Sequence, residues 1–240
     1  MRARLTGVAT AWRRLIVSWL LVAAPIVQAV EAPRRAVAPN PTIIAIVDVE
    51  TTGLDPAHHE MVDLGAVYLL HDGRELGRFF VRIHPPHPDR LDPGAAAVNG
   101  YSPARWRSLD AVDEAEAVQQ WRRFHERMMR AAQAPVVPHD PASPPVTVTF
   151  AALNAWFDQS FTDALLRRHG SSWRELFHYQ ILDLPSMAWA QGARELGGAA
   201  LAARYGLEPE TRDPLRHTGE SGVEFNLALY RAMLQAAPSP

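Results

Sequence analysis

The chain has 240 residues, 48% of them hydrophobic and 21% charged, the balance of a globular protein with one substantial domain rather than a disordered chain. It has no cysteine, which excludes disulfides, zinc-thiolate sites and thiol nucleophiles, and all 24 basic residues are arginine, which excludes lysine Schiff-base chemistry. With a formal net charge of -2 it is not a polycation that grips nucleic acid by charge alone, so any work on phosphates needs a metal or a local arginine cluster.

Arg2, Arg4, Arg13 and Arg14 precede the apolar run "LIVSWLLVAAPIV" (15–27), and small residues follow at Ala29 and Ala32. This is the layout of a signal peptide or a membrane-associated segment over residues 1–32. It predicts export or inner-membrane attachment through 15–27, and a cytoplasmic protein if the start site is misplaced. The run is short for a spanning helix, which needs about 20 apolar residues. Residues 1–32 carry four arginines and Glu31; without them the balance is 20 Arg against 25 acids. A Pro-rich linker, "PRRAVAPNP" (33–41), leads into the main domain, expected over 42–236.

"IIAIVDVETTGL" (43–54) is an apolar strand that ends in Asp48 and Glu50, two residues apart and therefore on one strand face. Two carboxylates there raise each other's pKa unless a cation lies between them, and all-oxygen ligation favours Mg2+ or Mn2+. "MVDLGAVYLL" (61–70) and "LGRFFVRIHP" (76–85) read as two more strands, joined at "HDGRE" by an Asp-Gly turn. Helical spacing follows in "EAEAVQQWRRFHERMMRAA" (114–132), whose Arg122, Arg123, Arg127 and Arg130 could guide a nucleic-acid strand but more commonly form a solvated face. "PVVPHDPASPP" (135–145) is a Pro-rich loop. "VTVTFAAL" is the fourth strand, after which Asn154 is expected to cap a helix with Phe157, Phe161 and Leu165 on one stripe and Gly170 as its stop. A fifth strand near Tyr179–Leu184, a helix ending at "ARYGL" and a last helix in "GVEFNLALYRAML" complete an α/β domain around a mixed five-stranded sheet flanked by helices.

"DVETTGLDP" closely resembles the first motif of the DEDD superfamily of 3′-to-5′ exonucleases, in its DEDDh form, a family that includes polymerase proofreading subunits. The likeness continues in order through "MVDLGAVYL", "VNGYSPARW" with Asn99 where histidine is usual, and "FAALNAWFDQSF" with Leu153 in a histidine's place. "ILDLPSMAWA", "LAARYGL" and "RHTGESGVEF" extend it. The resemblance implies a ribonuclease-H-like fold and a two-metal hydrolysis of phosphodiester bonds at 3′ ends of single-stranded DNA or RNA, as in replication or repair, and leaves a polymerase partner open. It assigns Asp48, Glu50 and Asp158 as Mg2+ or Mn2+ ligands and His217 as the base, acting with Glu50. It gives Thr51, Gly53, Leu54, Asn154 and Phe157 to the terminal nucleotide, with the backbone at Gly53 free to approach it.

The third motif departs from the pattern. Five residues after His217 the family has an aspartate that closes the metal site; here stands Gly222. Glu220 and Glu224 flank the gap as substitutes, each about 200° around a helix from position 222. The expectation is a weakened or rebuilt site: Gly222→Asp should raise the rate if the site is merely weakened, and an unchanged rate would mean that Glu220, Glu224 or another group already closes it. The alternative function is an impaired relative that binds nucleic-acid ends without cleaving them, and a third is an exported scaffold built on the same fold.

Overall fold

In β1, Thr42–Thr51, residues Ile43, Ala45, Val47 and Val49 bury into one helical layer while Ile44 and Ile46 bury into the other. A strand covered on both faces can afford no polar interruption until its end, which is why Asp48 and Glu50 come last. The computed structural model describes residues 42–133 and 146–236. The expectations for residues 1–32, 33–41 and 135–145 fall outside them.

β1 runs antiparallel to β2 (Met61–Leu70), which runs antiparallel to β3 (Glu75–His84), so the first three strands form the expected meander. Its hairpin turn places Gly73 at φ 84°, while the Asp72 carboxylate accepts the Arg74 N–H at 2.9 Å. β5 (Thr147–Ala152) and β6 (Ile181–Asp183) add parallel to β1 on its other side. A two-residue strand β4, Val112–Asp113, pairs with β3 and makes the sheet six-stranded, in the order β4-β3-β2-β1-β5-β6. Five strands were expected; two residues carry no alternation from which a sixth could be read.

Helices α3 (Glu114–Gln133) and α4 (Ala155–Arg168) cover one face, where Trp121, Phe124, Phe161 and Leu165 pack against Tyr68 and Phe150. On the other face lie α6 (Leu184–Ala190), α7 (Gly198–Tyr205) and α8 (Gly219–Ala236), with Leu201, Leu229, Tyr230 and Met233 over Ile46 and Leu69. Each such buried side chain contributes about 1.5–3 kcal/mol of transfer free energy. The short α5 (Trp173–Leu176) extends the first layer. Two helices in "DPGAAAVNG" and "SPARWRS", α1 (Pro93–Asn99) and α2 (Pro103–Ser108), were not anticipated as helices. They start at Asp92 and Ser102, whose side chains accept backbone N–H groups of the first turn, and each has proline at the first position. Buried Trp106 of α2 donates its indole N–H to the Val62 carbonyl at 2.7 Å, fixing this corner to β2. Asn154 occupies the cap position of α4 in a left-handed conformation but makes no cap bond with its side chain. The Ala155 N–H is instead accepted by Asp183 at 3.1 Å, from the end of β6.

What positions the site is the seat of α8 on the meander. Asp63 and Gly65 face α8 from β2, opposite Glu50 and Asp48 of β1. A Cβ on Gly65 would lie 2.1 Å from the Gly219 carbonyl oxygen, and one on Gly219 would lie 2.7 Å from the Gly65 nitrogen. Only two glycines allow helix and strand backbones to touch there. Buried Asp63 accepts the Gly219 N–H at 2.8 Å, pinning the helix start. Gly65→Ala should therefore cost about 2–3 kcal/mol by overpacking, read as a Tm loss of roughly 5–10 °C in thermal denaturation. Gly197→Ala, where nothing lies within 4 Å of the added Cβ, should leave Tm unchanged.

Candidate metal centre and its cleft

The carboxyl end of β1 delivers Asp48 and Glu50 to the α8 face. Asp48 turns its carboxylate against the helix, where Asn226 Nδ2 donates to Oδ1 at 3.2 Å. Its other oxygen fills the volume a side chain at Gly222 would need, lying 2.1 Å from an ideal Cβ there. An aspartate at 222 would require the Asp48 side chain to turn aside. Beyond Ile46, where pairing with β5 ends, buried Asp158 of α4 takes over and accepts the Val49 N–H at 3.1 Å. Burial pushes both aspartates well above the ordinary carboxylate range. The charge of Asp158 and its acidic neighbours raises Asp48 further, whereas backbone N–H groups partly relieve Asp158.

Glu50 meets His217, whose Nε2 lies 3.1 Å from Oε1. The other ring nitrogen, Nδ1, lies 2.8 Å from the Thr211 carbonyl oxygen, which can only accept, so Nδ1 carries a hydrogen. Nε2 then faces a carboxylate and holds a second proton in the metal-free protein. The bond to Glu50 and the charges of Glu50 and Glu210 raise the imidazole to about 9, against partial burial. Glu210 was not singled out in the sequence, yet it lies 3.5 Å from His217 Nδ1, and ligand atoms of Glu50, Glu210 and His217 all fall within 4.8 Å of one another. Glu210 Oε1 is buried without a hydrogen bond among the described residues. Burial raises the Glu210 carboxyl, offset by His217. These oxygen donors with one imidazole fit a hard divalent cation.

The loop between α7 and α8 that carries Glu210, Thr211 and His217 is tied from both ends. The Asp213 backbone carbonyl accepts the His217 N–H at 2.8 Å. Arg105 of α2 donates to the Pro214 and Leu215 carbonyls at 3.3 and 2.8 Å and to those of Asn99 and Gly100 at 3.2 and 3.0 Å. Asn99, where the family has histidine, is buried and donates to the Thr51 carbonyl at 3.0 Å, bracing the turn after β1.

These groups open onto a cleft of about 450 Å³ that Thr51, Leu54, Asn154 and Phe157 line together with Asp48, Glu50, Asp158, Glu210 and His217. Four of the five residues assigned to the terminal nucleotide thus converge with the acids and the histidine. Gly53 does not line it: the His59 ring lies 2.4 Å from where its Cβ would be, so this glycine makes room for an imidazole of its own turn. Phe157 serves two ends, half-buried at the cleft and packed with its ring centre 4.9 Å from that of Phe161 in the core, tilted at 50°. Trp156, 64% exposed on the rim beside Leu54 and Val98, is the other residue that sequence reasoning missed. Its only signal was a large aromatic one position off the apolar stripe of α4. Glu220 and Glu224 do not substitute at 222. They lie on the opposite flank of α8 beside Phe79 and Phe80, and Glu224 pairs with Arg78, as their angular offset from 222 requires. No arginine of α3 lines this cleft: Arg122 pairs with Glu175, Arg123 with Glu116, Arg130 with Glu126.

Residues 45–140 match the family model described as "Exonuclease". Comparison with curated proteins finds no match. Among solved structures, E. coli exonuclease I with a 5cy-dT13 oligonucleotide is similar at TM-score 0.61 and 16% identity, over 83% of this chain and 41% of that one. The complex of the same enzyme with a dA16 oligonucleotide gives 0.60 and 16% over 81% and 41%. Its zinc-bound complex with single-stranded DNA gives 0.61 and 16% over 81% and 41%. The chain spans about two-fifths of the length of that enzyme, and the likeness is one of fold.

The imidazole makes the metal-free protein sensitive to pH. Because the folded-state pKa of His217 is raised from 6.5 to about 9, its stabilising contribution is complete below pH 6.5 and lost as pH rises through 9. In chelator, the Tm difference between wild type and His217→Gln should shrink steadily from pH 6.5 to 9.5. A difference constant over that range would contradict the doubly protonated ring.

Proposed function

We propose that this chain is a member of the DEDD-type 3′-to-5′ exonuclease superfamily and a metal-dependent exonuclease hydrolysing phosphodiester bonds at the 3′ ends of single-stranded DNA or RNA, a reading supported by the match of residues 45–140 to the exonuclease family model and by the likeness of fold. The observation that carries this reading is the convergence of Asp48, Glu50, Asp158 and His217 on one cleft with an apolar, partly aromatic rim. Asp48, Glu50 and Asp158 would hold Mg2+ or Mn2+, which when bound supplies an acidified water and neutralises charge on the attacked phosphate.

The protein's own residues account for the rest. His217 is oriented by the Nδ1–H bond to Thr211, so Nε2 is the atom that would accept the proton from the attacking water once it has given up the proton it shares with Glu50, whose carboxylate a bound cation would engage instead. Asp158, bonded to the Val49 amide, stays fixed at the strand end while substrate moves. Asn226 holds the Asp48 carboxylate against α8. Leu54, Val98 and Trp156 form the exposed apolar rim against which unstacked bases lie, a contact tolerant of sequence. A chain with net charge -2 needs such a local arrangement, since the protein as a whole does not attract phosphates. The oligonucleotide complexes of exonuclease I support a single-stranded substrate.

The full chain with Mn2+ should convert a 5′-labelled single-stranded oligonucleotide into a ladder shortened from its 3′ end. Asp48→Asn and His217→Ala should each slow this at least ~100-fold. A wild-type protein that binds the oligonucleotide but leaves it intact with either Mg2+ or Mn2+ would establish the non-cleaving end-binder instead. Trp156→Ala should raise KM roughly tenfold while changing kcat little, since one stacked base contributes about 1–3 kcal/mol. An unaltered KM would remove the rim from substrate binding.

A further inference from the structure

The position on α8 from which the family's third-motif acid would reach the centre is Gly222, and the Asp48 side chain lies folded over it. The Asp48 carboxylate already occupies the volume over Gly222, and Asn226, one turn along the helix, presents a donor to it instead of an acid. Glu220 and Glu224 face away toward β3. Glu210 stands on the open side of the same centre, on the α7–α8 loop, with its buried Oε1 3.5 Å from His217 Nδ1 and with ligand atoms within 4.8 Å of those on Glu50 and His217. It directly precedes Thr211, whose carbonyl orients His217. One short piece of chain thus presents a carboxylate and sets the imidazole together.

Building on the metal-dependent reading above, we propose that Glu210 supplies the fourth carboxylate of the metal centre, so that the ligand missing from α8 is delivered by the loop before it. Three arguments converge on it. The number of carboxylates facing the cleft returns to four, with Asp48, Glu50, Asp158 and Glu210. The glutamate arm is one methylene longer than aspartate, which suits an approach from a loop outside the helix. Asp48 is released from sharing α8 with a second acid and takes an amide N–H there, which lowers the repulsion among buried carboxylates. The loop also becomes part of the ligand set, so ion binding would bind it to the end of β1.

The test is Mn2+ titration of the metal-free full chain by calorimetry, with hydrogen exchange followed over residues 207–216. Wild type should bind Mn2+, with exchange in the loop slowed on binding. Glu210→Gln should weaken binding roughly tenfold or more, within the range seen when a metal site loses a supporting group, and abolish the slowing, while its metal-free Tm stays near that of wild type. Glu220→Gln should bind as wild type does. Asp48→Asn separates the two levels of the argument. If wild type takes up no Mn2+, the metal-dependent reading fails and this inference with it. If Asp48→Asn loses Mn2+ but Glu210→Gln binds as wild type, with loop exchange indifferent to the ion, only the role of Glu210 is overturned. Should Glu210→Gln fold poorly, the wild-type exchange experiment decides alone: a loop unaffected by saturating Mn2+ excludes Glu210 as a ligand.

Discussion

The site depends on a contact with almost no side chains in it: the start of α8 resting on β2 through Gly65 and Gly219. Backbone touching backbone fixes the depth of the helix more tightly than packed side chains do, because no rotamer is left to adjust. Asp63 then fixes its rotation by taking the Gly219 N–H. From that seat follow His217 two residues before, Gly222 over Asp48, and Asn226 one turn farther. A shift of about an ångström at the two glycines would separate the imidazole from Glu50, and separations of that size are costly in catalysis.

Around this seat the protein accumulates acids that are unfavourable without a cation. Asp48, Asp158 and Glu210 are all raised by burial and, further, by the charge of Glu50, and Asp63, buried beside Glu50, is pushed up to about 8. The compensations are local: the Val49 amide for Asp158, the Asn226 amide for Asp48, the Gly219 amide for Asp63. His217 provides the nearest positive charge in the metal-free state, between Glu50 and Glu210. A centre of this kind stores unfavourable electrostatics in the folded chain, and a bound cation relieves them. Under the proposed function, the same relief by a cation would let a chain of net charge -2 act on an anionic polymer.

Much of this was legible in the residues. The apolar run ending in Asp48 and Glu50, the meander with its Asp-Gly turn, and the Phe157/Phe161/Leu165 stripe were each written in local periodicity and each is present. The ordered motifs brought Asp158 and His217 to the same place from more than a hundred residues away. Less legible were features that no local pattern encodes. β4 is too short to alternate, Asp183 caps α4 from another strand, and Gly53 makes room for His59 rather than for a ligand.

The sequence by itself determined the kind of site, because which strand face carries two acids depends only on the two-residue repeat of a strand. Motif order then decided which distant residues join them. Tertiary structure alone decided how the centre is completed. Whether Gly222 is a hole or a filled space depends on where Asp48 turns, and whether Glu210 counts among the acids depends on how the α7–α8 loop is tied by Arg105. Both are matters of three-dimensional distance between segments far apart in the chain, and an irregular loop has no period from which such a distance could be read.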